Sequence, residues 1–171
     1  LGLVPYGNTT DIVEVAKGDF VDIQITGTGT GLFFYFSLVF VANIVGESVI
    51  FGGSYEMPSQ VYTQQHRPHN ISNSEAWYDV DLLYLIAGIT KFKKLYVALT
   101  AAPTAGKSYT FTLRRNQADS PLTVTIADSA IIGEDSSHIV QGDEFDILGI
   151  KSTPANTPAQ TRARWGLVTT L

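Results

Sequence analysis

The sequence predicts an all-β protein, an antiparallel β-sandwich of jelly-roll-like form with a partial second copy at its N-terminus. Three observations carry that prediction. Short runs with period-two alternation recur along the chain, separated by Gly-, Pro-, Asn- and Asp-containing turns. No convincing amphipathic helical pattern interrupts them. The decapeptide Leu32–Val41 is apolar on both faces, so as a strand it needs cover from two sides.

Leu95 to Ile126 shows the pattern best. Leu95-Tyr96-Val97-Ala98-Leu99 alternates, and Ser108–Leu113 sends Tyr109, Phe111 and Leu113 one way and Ser108, Thr110 and Thr112 the other. Leu122, Val124 and Ile126 repeat it around Thr123 and Thr125. Successive side chains leave a pleated backbone on opposite faces, so each run buries one side. With turns at 102–106 and 116–121, the expectation is a three-stranded meander with one wet face.

The other elements follow in order. Residues 1–9 are turn-rich, and Asp11–Ala16 and Phe20–Thr26 read as strands. Gly27-Thr28-Gly29-Thr30-Gly31 reads as a hairpin loop, because a phosphate cradle needs a following helix and none is patterned there. Leu32–Val41 is the longest apolar run and is far shorter than the ~20 residues of a membrane-spanning helix. Ser48–Phe51 reads as a short strand ended by Gly52-Gly53. Residues 54–80 form a long irregular excursion, poor in apolar residues, of the kind that serves interaction. Leu82–Ile89 reads as a strand, as do Ser136–Val140, Phe145–Ile150 and Arg162–Thr169, with Ser152–Pro158 as a linker.

A repeat lies under this order. Thr9-Thr10-Asp11-Ile12-Val13 followed by Gly18-Asp19-Phe20-Val21-Asp22-Ile23 matches Ser136-Ser137-His138-Ile139-Val140 followed by Gly142-Asp143-Glu144-Phe145-Asp146-Ile147. Glycine in the shared Gly-Asp suits a tight turn with positive φ. The organisation expected is a partial repeat over 1–46, holding only closing strands, and a complete sandwich over 47–171.

The run LYVALTAAPTAGKSYTFTLRRNQADSPLTVTIADSA, with Ser136–Val140 and Gly142-Asp143 after it, resembles a family of β-sandwich proteins of uncharacterised function. These occur in environmental phages and uncultured bacteria, often as tandem copies. The resemblance spans roughly 92–170, and 8–41 more weakly. It implies a structural role in a virion or at a surface, and brings no catalytic residues with it.

Composition narrows the partners. The 171 residues are 44% hydrophobic and 16% charged with net charge −5 and pI about 5.0, which disfavours a nucleic-acid backbone. The absence of cysteine removes disulfides and thiolate chemistry. The chain opens at Leu1 without Met, as a processed or truncated chain would.

Motifs for chemistry are thin. Gly106-Lys107-Ser108 lacks the glycine five positions earlier, where Ala101 stands, and precedes a strand. His66-Arg67-Pro68-His69 offers two imidazoles, but Pro68 forbids a helical presentation and the pair reads as exposed loop. Asp79 and Asp81 share a strand face, and Glu134-Asp135 reads as a turn; both fit ordinary strand ends better than calcium or glycoside hydrolysis. Asn8-Thr9-Thr10 and Asn70-Ile71-Ser72 are glycosylation sequons.

The expectation is therefore a non-enzymatic subunit that needs no cofactor or metal. It assembles with itself by strand addition or sheet packing, in a phage virion or an extracellular filament, without inserting into a membrane. Phe33, Phe34, Tyr35, Phe36 and Phe40 are the candidate assembly interface. The rival is a carbohydrate-binding module that uses the aromatic-rich 54–79 segment, where Tyr55, Tyr62, Trp77 and Tyr78 would stack on glycans.

Overall fold

The structure, a computed structural model, describes residues 13–14, 41–54, 58–66, 70–72, 84–85 and 90–170. The chain divides into two compact units, Leu1–Ser37 and Leu38–Leu171. The described strands lie in the second. Most of the first repeat copy, the glycine-rich loop and the aromatic run 32–40 lie outside the described residues.

Ten strands are described: β1 (Glu47–Ser54), β2 (Gln64–His66), β3 (Asn70–Ser72), β4 (Tyr84–Leu85), β5 (Thr90–Leu99), β6 (Thr104–Arg115), β7 (Ala118–Asp128), β8 (Ile132–Gly142), β9 (Ile147–Ala155) and β10 (Ala163–Thr170). Among the described residues there is no helix. Antiparallel pairs β6·β7, β5·β8, β2·β9 and β1·β10 nest like the rungs of one long hairpin. Pairing of β10 with β5 and of β6 with β9 rolls that hairpin into two sheets. Their strand orders are β3-β1-β10-β5-β8 and β2-β9-β6-β7, with β4 also on β9. Set aside β3 and β4, and this is the eight-stranded jelly roll, the expected architecture.

Alternation explains which faces meet. Tyr109, Phe111, Leu113, Leu122, Val124, Ile126 and Ile150 from one sheet are buried against Phe92, Leu95, Val97, Trp165 and Leu167 from the other. Phe111 and Trp165 approach to 6.5 Å between ring centroids. Burying each large side chain is worth roughly 1.5–3 kcal/mol, so this interdigitation carries most of the fold's stability.

The expected meander does not form. β5 lies between β10 and β8 in one sheet, while β6 pairs with β7 and β9 in the other. The chain crosses from sheet to sheet at Thr100–Pro103, where Pro103 is buried and its carbonyl accepts from Ala159 N at 2.9 Å. A buried strand such as β5 takes its neighbours from distant sequence because the adjacent hairpin already belongs to the opposite layer.

Boundaries differ where glycine and proline misled. β1 continues through Gly52-Gly53, because a Cβ at Gly53 would stand 2.8 Å from Ala163 O and only glycine lets β10 come so near. The 116–121 turn is just Asn116-Gln117, both left-handed (φ 50° and 64°), so 118–121 belong to β7. Pro121 is tolerated because β7 is an edge strand. β9 begins at Ile147 and runs through most of the expected linker. The expected strand Ser136–Val140 is part of a longer one, Ile132–Gly142, with Ser136–His138 bulging opposite Lys94. Of Leu82–Ile89, the described pair Tyr84–Leu85 is a strand. In the 142–146 turn the left-handed residue is Phe145 (φ 69°), not Gly142. The turn is held instead by Asp143 N donating to Asp146 Oδ2 at 2.7 Å.

Candidate functional site

The β8 bulge brings together Asp135, Ser137 and His138. Glu134-Asp135 thus lies within a strand, not in the expected turn. Asp135 is buried, and its Oδ1 accepts from Ser137 N (3.1 Å), Ser137 Oγ (3.0 Å) and His138 N (3.2 Å). Its Oδ2 accepts from Thr123 N on β7 (3.0 Å) and meets His138 Nδ1 at 2.8 Å. Burial alone would raise this carboxyl, but the Thr123 N–H, the His138 ring and the Ser137 and His138 N–H groups outweigh it and hold it well below the usual range.

The trio has the members of a catalytic triad without its wiring. Ser137 Oγ and Asp135 both address the same ring nitrogen, Nδ1, at 3.4 and 2.8 Å. A triad needs the serine on Nε2 and the carboxylate on Nδ1. Asp135 instead satisfies the backbone of a bulge and ties β8 to β7 of the other sheet.

A second Ser–His pair was hidden by sequence distance. His66 Nε2 lies 2.8 Å from Ser152 Oγ, yet both residues are buried, and the imidazole packs against Trp165 at 5.5 Å between centroids, the rings tilted by 52°. The expected exposed-loop histidine is therefore a core residue of β2; alternation on a strand paired to β9 turns it inward. Burial pushes it down to about 4. With both partners buried, the pair contributes to the core. His69 lies outside the described residues, and no group of three or more His, Cys, Asp or Glu among the described residues could hold a metal.

Around Gly106-Lys107-Ser108 the backbone is already in use. Gly106 N donates to Asp128 Oδ1 (2.7 Å), and Gly106 O accepts from Asn156 Nδ2 (2.8 Å). At the opposite end Arg115 bridges Asp143 and Asp146, and Asn116 Nδ2 donates to Asp146 Oδ1 at 2.5 Å. The Asp143 N–H comes first in holding the Asp146 carboxyl low, ahead of Arg115 and Asn116, with burial opposing.

The two outer faces contrast. On the β6-containing sheet, Thr110 meets Thr125 (2.9 Å), Thr112 meets Thr123 (3.1 Å), and Asp119 bridges Lys151 and Arg114. This face is polar and self-satisfied. On the other sheet, register sets Phe51, Gly166, Tyr96 and Glu134 in one row, with Gly53, Arg164, Ala98 and Ile132 in the next. Phe51 is 58% exposed, Ile132 57% and Ile139 60%. The sequence missed this patch because its members come from four strands and lie up to 115 residues apart, as Phe51 and Gly166 do.

Of the predicted recognition aromatics, Tyr62 is described. It is 53% exposed in a turn where Ser59 Oγ accepts from Val61 N and Tyr62 N. Gln60 Nε2 pins that turn to Pro158 O at 2.6 Å. Tyr55, Trp77 and Tyr78 lie outside the described residues, as do Phe33, Phe34, Tyr35, Phe36, Phe40, Asp79 and Asp81. No family model matches this chain, and no curated protein matches it.

Proposed function

We propose that the protein is a non-enzymatic structural subunit that self-assembles, in a phage virion or an extracellular filament, through the outer face of the β1-β10-β5-β8 sheet. One observation carries this reading: an apolar face is open while the nearby strand edges are blunted. β8 carries a bulge and an inward carboxylate, β7 carries Pro121, and the N–H of Thr123 is occupied by Asp135. Inward charges, bulges and proline are how sheets avoid pairing edge to edge. Of the two assembly modes expected, sheet packing is therefore favoured over strand addition at that edge. Phe51, Tyr96, Ile132 and Ile139 put apolar surface on this face, interspersed with Glu134 and Arg164, for such contacts. The glycan-binding rival rests on aromatics of which only Tyr62 is described.

Light scattering coupled to size exclusion tests the proposal. Self-association that Phe51→Asp abolishes, with the fold intact by circular dichroism, is the expected result. A monomer of 18.6 kDa at every accessible concentration refutes it.

A further inference from the structure

We propose that β2 is an acid-released edge strand: protonation of His66 expels it from β9 and opens the β9 edge and the Trp165 side of the core. This concerns a single chain and stands apart from the assembly reading.

Buried polar groups are almost always partnered, so each exception asks for a reason. Four buried side-chain atoms among the described residues lack a hydrogen bond: Glu47 Oε1, Gln65 Oε1, His66 Nδ1 and Arg114 Nε. Glu47 is nonetheless ion-paired to Lys93 at 2.6 Å, and Arg114 Nε to Asp119 at 3.0 Å. The two true orphans are neighbours on β2, a strand of only three residues. Its register on β9 is Gln64↔Ser152, Gln65↔Lys151 and His66↔Ile150.

In the neutral ring, whichever tautomer it holds, Nε2 shares a hydrogen bond with Ser152 Oγ and Nδ1 has no partner. A proton leaves Nδ1 a donor with no acceptor and places a charge in the core. No described group offsets it. β9 turns Ser152 toward the ring, while Lys151 points to the opposite face and pairs with Asp119. β10 presents Trp165, and Arg164 beside it donates to Ser54 O and Ala163 O. Ser54 Oγ is taken by Ala163 N, and Phe111 stands behind Trp165. Arg67 and His69, which follow β2, lie outside the described residues. Release into water satisfies the imidazolium and Gln65 Oε1 together, at the cost of a three-residue ladder. β4 covers β9 only at Leu148 and Ile147, so release leaves the edge at Ile150–Ser152 bare.

The sign follows from linkage. The released ring has its ordinary pKa of 6.5 and the docked ring about 4, so the released state takes up the proton. Opening is therefore promoted as pH falls from 6.5 to 4 and levels off below.

Hydrogen exchange, corrected for intrinsic rates, tests this on the full chain alongside Trp fluorescence in a Trp77→Phe background. The opening constant reported by those amides of 64–66 and 150–152 that bond across the β2–β9 ladder is expected to rise roughly 40-fold between pH 6 and 4, as one proton bound at pKa 6.5 when released and about 4 when docked dictates. Amides of 109–113 and 122–126 hold their protection, and Trp165 emission shifts to the red. His66→Phe keeps the ring contact without the charge and is expected to flatten the profile. His66→Gln, which still reaches Ser152 without titrating, does so if His66→Phe fails to fold. An unchanged pH slope in the folded variant, or opening of all four segments together, overturns the proposal.

Discussion

Replacing Asp135 tests whether one carboxylate holds the β7–β8 side of the sandwich together. Its two oxygens face donors only: three backbone N–H groups, the Ser137 hydroxyl and the His138 ring. In Asp135→Ala the Ser137 and His138 amides can turn to water, since both residues are exposed. Thr123 N, half-buried where the β7 edge meets β8, does so less readily, and an unsatisfied buried donor costs about 1–3 kcal/mol. With the lost charge-assisted bonds, the total is about 2–4 kcal/mol, or a Tm lower by roughly 6–12 °C for a unit of this size. Asp135→Asn is the sharper probe. An amide must aim its NH2 either at Thr123 N–H or at the Ser137 and His138 N–H groups, so the near-isosteric change is expected to be almost as harmful. Because the folded carboxyl titrates below its unfolded value, this stability is present above pH ~4 and is lost as pH falls below that. Urea unfolding of both variants at pH 7 and pH 3 measures it, with the gap to wild type narrowing in acid. An asparagine variant within 0.5 kcal/mol of wild type at pH 7 would refute the reasoning.

Gly133→Ala would put a Cβ 2.7 Å from Val124 Cγ1 and 3.0 Å from Ile126 Cγ1, so a loss of about 1–3 kcal/mol is expected on thermal denaturation. Phe111→Ala empties the contact with Trp165 and Tyr109 and is expected to cost about 3–5 kcal/mol by urea titration. Thr104 is β-branched at φ 83°, a conformation costing about 1–3 kcal/mol, so Thr104→Gly is expected to preserve or raise the Tm.

Period-two alternation made the inward residues of β6 and β7 legible, because facing depends only on neighbours along one strand. Pairing was not legible in the same way. β5 joins Leu95 to Leu167 and to Asp135, partners 72 and 40 residues away that no local pattern names. The mistaken meander arose from assuming that strands adjacent in sequence pair. Gly52-Gly53 and Pro154 were taken as stops, whereas close approach to β10 and the end of β2's pairing make them compatible with strand. Asp135 and His66 were misplaced because burial of a polar side chain depends on partners such as Thr123 and Ser152, set by register. The outer apolar face has the same origin: Phe51, Gly166 and Tyr96 are neighbours only once three strands are aligned.

The pairing of β1 with β10 also fixes where the chain enters and leaves the sandwich. Glu47 stands opposite Thr170, and partners across an antiparallel ladder are about 4.5–5.5 Å apart between Cα atoms. The sandwich is thus a bead hung from a single point. A bead of this kind can be threaded in series along a polypeptide without disturbing what precedes or follows it, and a short linker there would let the sequence be circularly permuted to open at any turn on the far rim.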